Sequence, residues 1–127
     1  MKQQINENPS KSAPIVGVDN SVFTNLAATL TEIRKLKGVT GYILSSNNAA
    51  IVDLSQKEFV TEYAMLSSEI QACSKGILKQ FDLADVESVL VEGKAMKVLC
   101  MTLGENRIVV FMDKACAHSW IVKRILL

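Results

Sequence analysis

The chain carries one histidine, His118, two residues after Cys116. A histidine beside a cysteine is the raw material of an activated thiolate or a zinc site. Two residues apart on a helix, however, side chains point in different directions. The pair is therefore read as neither a catalytic dyad nor a metal site, and His118 as a helix-surface or interface residue. Cys73, Cys100 and Cys116 are odd in number, widely spaced and contain no Cys-x-x-Cys pair. They read as reduced, apolar packing residues. Glu58, Glu62 and Glu69 share one side of a helical stretch, where carboxylates could pair for acid–base work. A solvated helix face accounts for them more simply. The only arginines are Arg34, Arg107 and Arg124. An arginine can act in trans on a partner's phosphoryl transfer. Arg107 at a strand entrance and Arg124 near a helix end read instead as surface ion-pairing residues.

Nucleotide chemistry has no signature here. There is no Gly-x-x-x-x-Gly-Lys-Ser/Thr loop and no Gly-x-Gly-x-x-Gly. Gly38 and Gly41 enclose only two residues and follow a helix instead of opening one. No cofactor or metal is expected, and the chain reads as a non-catalytic protein.

Any function must then come from surfaces. The chain has 127 residues, 49% hydrophobic and 21% charged, with a formal net charge of +1. That length fits one domain with its own core. Near-neutral charge weighs against nucleic acid as partner. The apolar fraction weighs against disorder, and its surplus in so short a chain suggests that some apolar surface is buried between subunits. The N-terminus, Met-Lys-Gln-Gln-Ile-Asn-Glu-Asn-Pro-Ser, has no apolar run and is not read as a signal peptide. No stretch approaches the roughly 18 apolar residues of a membrane span. A cytoplasmic protein without membrane insertion is expected. Residues 1–18 are polar, contain Pro9 and Pro14, and are read as a flexible tail; residues 19–127 form the domain.

The elements follow from capping residues and periodicity. Asp19-Asn20-Ser21 can cap a helix whose apolar positions are Val22, Leu26, Leu30, Ile33 and Leu36, stopping at Gly38. Residues 39–46 and 49–54 read as a hairpin about Asn47-Asn48, with Gly41 marking a close backbone approach. Ser55 and Glu58 have capping-box spacing. They open a long helix running to about Phe81, with a stripe of Phe59, Tyr63, Leu66, Ile70, Cys73, Ile77 and Phe81. Val60, Ser67, Ser74 and Leu78 widen it, and its small residues would admit a neighbouring helix. Three strands follow, at 85–92, 95–103 and 107–112, joined by turns at Gly93-Lys94 and Gly104-Glu105-Asn106. The run Arg107-Ile-Val-Val-Phe-Met112 is apolar on both faces, as an interior strand must be. Residues 115–127 read as a terminal helix packing Trp120, Ile121, Ile125 and Leu126 on the sheet. The fold class is α+β: a five-stranded antiparallel sheet with element order α-β-β-α-β-β-β-α.

This order and several local patterns resemble the Roadblock/LC7 family, a profilin-like fold. Residues 38–52, Gly-Val-Thr-Gly-Tyr-Ile-Leu-Ser-Ser-Asn-Asn-Ala-Ala-Ile-Val, resemble its first hairpin, with a Val-x-Gly start. The turn Asn47-Asn48-Ala49 departs from the family's usual Asp-Gly or Glu-Gly. Ala64 resembles an alanine of its long helix. Val89-Leu-Val-Glu92, Val98-Leu-Cys-Met101 and Arg107-Ile-Val-Val-Phe111 resemble its last strands. The terminal helix resembles the bacterial polarity GTPase activators and lysosomal scaffold subunits more than the dynein light chains. The resemblance spans residues 20–127.

The resemblance implies a homodimer, or a heterodimer with a second Roadblock-type subunit. The third strands would pair edge to edge and the long helices lie side by side. The residues agree: an unpaired strand at 85–92 is an adhesive edge. The expected interface residues are Val86, Ser88, Leu90 and Glu92 on that strand and Ser67 and Ser74 on the helix. The implied partner is a small Ras-like GTPase, bound and regulated by a dimeric scaffold. Candidate contacts are Glu62, Met65, Glu69 and Lys75. Two other functions compete. One is a PAS- or profilin-like small-molecule sensor, disfavoured because few polar residues converge in the expected aliphatic interior. The other is a light-chain adaptor for a motor.

Overall fold

In the computed structural model, which describes residues 21–80 and 88–126, the chain forms a three-layered α/β/α arrangement. Its elements are α1 (Ser21–Arg34), β1 (Val39–Ser45), β2 (Ala50–Leu54), a single 3₁₀ turn (Lys57–Phe59), α2 (Val60–Gln80), β3 (Ser88–Glu92), β4 (Met96–Leu103), β5 (Asn106–Asp113) and α3 (His118–Leu126). The sheet is antiparallel throughout in the order β2-β1-β5-β4-β3. The expected order and fold class are those observed. β5 is central, as its doubly apolar run requires: Ile108, Val110 and Met112 face one side, and Val109 and Phe111 the other.

The two faces are covered differently. Leu26, Leu30 and Ile33 of α1 and Ile121 and Ile125 of α3 pack on Leu44, Leu99, Met101, Ile108, Val110 and Met112. Burying a side chain of this size stabilises by roughly 1.5–3 kcal/mol, so this layer holds most of the fold. The other face carries α2, which meets the smaller cluster of Leu54, Val98, Cys100, Val109 and Phe111 through Tyr63 and Ile70.

Gly41 is where the backbones come closest. A Cβ there would lie 2.6 Å from Asp53 O and 2.9 Å from Leu54 Cα, so only glycine lets β2 pair at this register. Gly38, with φ +94°, turns the chain from α1 into β1.

Several expectations are corrected. Val22 and Leu36 are exposed, because α1 ends at Arg34 and its buried stripe needs only the three residues between them. Trp120 and Leu126 are also exposed; α3 spans nine residues and buries Ile121 and Ile125, with Val122 partly buried against the same core. The Ser55–Glu58 capping box does not form. Gln56 precedes a 3₁₀ turn without a side-chain cap, and the Ser55 hydroxyl instead accepts a 2.7 Å hydrogen bond from Arg34 Nη2. The proposed tail at 1–18 and the strand start at 85–87 lie outside the described residues.

Candidate functional site

Helix α2 crosses the sheet with one narrow side down. Tyr63, Ser67 and Ile70 point at the strands, and the Tyr63 ring stacks on Phe111 with centroids 4.6 Å apart. Ser67 is buried, and its hydroxyl donates to Ala64 O of its own helix at 2.9 Å. It therefore lies under α2 and is not on a free flank.

The stripe read as one apolar band is thus two. Tyr63 and Ile70 belong to the core. Phe59, Leu66 and Cys73, spaced seven residues apart, form a separate line beside them and are exposed, Phe59 by 43% and Leu66 by 37%. A seven-residue step keeps side chains on one seam of a helix, the spacing by which helices pair. Val91 is 40% exposed two residues after Val89, which packs on the cluster under α2. It therefore adds apolar surface to the same face of the sheet.

Among the described residues β3 is an edge strand, bonded to β4 alone. Ser88 and Glu92 are exposed on it, whereas Leu90 is partly buried against the α1/α3 core. Val86 and the side chain of Ser74 lie outside the described residues. Glu62, Met65 and Glu69 are exposed on α2, with Met65 at 60%. Val60, Ala64, Met65 and Glu69 border one shallow groove along the helix. Lys75 stands apart from them, at a cleft between α2 and the end of the sheet that it shares with Gln71, Arg107 and Thr102. The expectation that few polar groups converge between helix and sheet is corrected there. Nothing in local sequence periodicity signals that cleft, because its walls come from four separated segments.

The chemistry-bearing residues are placed as follows. Arg34 is structural: Nη1 donates to Val39 O at 3.1 Å, and Nε lies 3.4 Å from Asp53 Oδ1, in ion-pair range but not aligned for a hydrogen bond. It ties α1 to β1 and β2 and is not free to reach a partner. Arg107 and Arg124 are exposed, and neither forms an ion pair with another described residue, contrary to the expected surface pairing. His118 and Cys116 do meet a common neighbour. Buried Lys97 donates to Cys116 O and to His118 Nδ1, the latter at 3.1 Å. The Cys116 contact uses its backbone carbonyl, so no thiol–imidazole pair arises. Burial pushes the Cys100 thiol up to about 11 and keeps it neutral. Among the described residues, no group of three or more His, Cys, Asp or Glu side chains could hold a metal ion, and no helix is long and apolar enough to cross a membrane.

The sequence pattern of the Roadblock/LC7 domain matches residues 26–111. The chain belongs to the Roadblock/LC7 family. The match begins inside α1 and ends inside β5, so α3 lies beyond the Roadblock/LC7 core. Solved structures share the fold. A Roadblock/LC7 domain from Streptomyces avermitilis is 16% identical, with a TM-score of 0.63 over 76% of this chain and 84% of that one. MglB of Myxococcus xanthus is 20% identical, with a TM-score of 0.64 over 81% of this chain and 87% of that one. The gliding protein MglB of Thermus thermophilus is 15% identical, with a TM-score of 0.63 over 89% of each chain. No curated protein sequence matches significantly.

Proposed function

We propose that the chain pairs through β3 and the Phe59–Leu66–Cys73 line that runs from the 3₁₀ turn into α2, with its own copy or a second Roadblock-type subunit. The dimer is a non-catalytic platform that binds and regulates a small Ras-like GTPase. The observation that carries this reading is the exposed apolar line from Phe59 into α2, above a sheet whose β3 edge has no partner strand among the described residues. Two-fold pairing would join two five-stranded sheets into one, satisfy the β3 backbone and cover the helix line together. An isologous contact of this kind closes at two subunits.

The GTPase partner is supported by family membership and by the sequence resemblance to GTPase-regulating Roadblock/LC7 members. The action would be positional: a rigid surface engages the switch loops and biases their order. Glu62, Met65 and Glu69, exposed on α2, are the candidate contacts, with Lys75 further along the same helix at the separate cleft. A cytoplasmic setting fits this partner.

The test is to titrate the full chain against Ras-like GTPases of the same genome, loaded with GDP or a non-hydrolysable GTP analogue. Nucleotide-dependent binding, weakened by Met65→Arg, is the expected result. Binding to none of them at micromolar concentrations, with the dimer intact, would refute the GTPase reading and leave a motor light-chain adaptor.

A further inference from the structure

The cleft between α2 and the end of the sheet has a volume of about 250 Å³. Its walls come from α2, the β1–β2 turn, the start of β3 and the β4–β5 hairpin. Two cations stand on it, Lys75 of α2 and Arg107 of β5, and neither is ion-paired with a described residue. Asn47, Gln71, Ser88 and Thr102 bring amide and hydroxyl donors from four places in the chain. Val89 and the buried Cys100 side chain supply an apolar surface. One carboxylate, Glu105, also lines the cleft, so among the described residues cations exceed anions there by one.

We propose that this cleft binds a small anionic molecule of about ten non-hydrogen atoms, its charged oxygens held by Lys75 and Arg107 and its carbon skeleton lying on Val89 and Cys100. A concave site with a small apolar patch and a few convergent polar groups is the usual form of a ligand pocket. This one lies just below the usual size range, which favours a small ligand. Charge-assisted hydrogen bonds from an ammonium and a guanidinium select phosphate or carboxylate oxygens over neutral groups. The Cys100 thiol stays protonated at neutral pH, so it offers contact and not nucleophilic attack. The site does not depend on the dimer reading, since all of its walls belong to one chain.

The experiment is amide chemical-shift titration of the full-length protein with inorganic phosphate and with phosphoenolpyruvate. Shifts should be confined to residues around 47, 71–75, 88–89 and 100–107, and saturate with a Kd at or below about 1 mM for phosphoenolpyruvate. Phosphate should bind the same residues more weakly, because it lacks the skeleton. Lys75→Gln and Arg107→Gln should each weaken binding about tenfold, while Glu105→Gln should strengthen it. Shifts scattered over lysines and arginines elsewhere, or saturation unaffected by either substitution, would overturn the proposal. So would silence toward both anions while the same two substitutions abolish GTPase binding, which would make the cleft a protein contact.

Discussion

Tyr63 of α2 lies on Phe111 of β5 with ring centroids 4.6 Å apart and planes 19° from parallel. Phe111 is fully buried, and this stack is the main anchor of α2 on its face of the sheet. Among the described residues Ser67 and Ile70 are the buried positions of α2, while Met65, Leu66 and Cys73 are exposed.

Replacing Tyr63 with Ala should therefore lower the free energy of unfolding by about 2–4 kcal/mol. Tyr63→Phe should lose less than about 1 kcal/mol. Urea denaturation measures both. Hydrogen exchange should show α2 loosening in the Ala variant before α1 does, because α1 and α3 share the larger core.

Gly41→Ala tests the strand register. The new methyl would meet Asp53 O and Leu54 Cδ2, each at 2.6 Å, and the strand carrying them is already fixed by pairing with β1. Destabilisation of about 1–3 kcal/mol or more is expected. A thermal midpoint matching the parent's would show that β2 pairs otherwise.

Lys97 and His118 offer a test of asymmetry. The buried ammonium has two acceptors, Cys116 O and His118 Nδ1. His118→Ala leaves the cation one partner short and should cost about 1–2 kcal/mol. Lys97→Met removes the cation with little change of shape, and should be neutral or stabilising. Chemical denaturation of the two variants, and of the pair together, separates these effects.

Cysteine reactivity should divide sharply. Cys73 is exposed, while Cys100 is buried with its thiol pushed up to about 11 from an ordinary 9. Iodoacetamide at pH 8 should label Cys73 in the native protein and spare Cys100 until unfolding. Unfolding frees a Cys100 thiol that ionises near its ordinary value. Between pH 9 and 11 the unfolded chain thus binds fewer protons than the native one, and stability should fall as pH rises through that window.

Much of this architecture is legible in the sequence because local and global demands agree. Leu26, Leu30 and Ile33 keep helical spacing and are the residues α1 buries. The doubly apolar run at 107–112 is the central strand, and Gly41 sits at the tightest backbone contact. What escaped depends on contacts distant in the chain. Period alone cannot say which edge of a broad stripe meets the sheet, so Ser67 went under α2 and Leu66 stayed out. Lys97 has no local signal of burial, because its acceptors, Cys116 O and His118 Nδ1, lie about twenty residues further along the chain. Ser55 and Glu58 have capping spacing, but Arg34, twenty-one residues away from Ser55, takes the hydroxyl. The polar cleft has no linear signature because its walls meet only in the fold.

The most direct test of the central claim is the solution mass, by light scattering at micromolar concentration, of the parent chain beside Leu66→Arg and Val91→Arg. Both positions are exposed in the single chain, so both variants should fold, with parental circular dichroism. The parent should show twice the 13.9 kDa chain mass, and the variants should fall toward that value. A parent with the mass of one chain would contradict pairing with its own copy, and variants that remain paired as tightly as the parent would contradict the contact through β3 and α2.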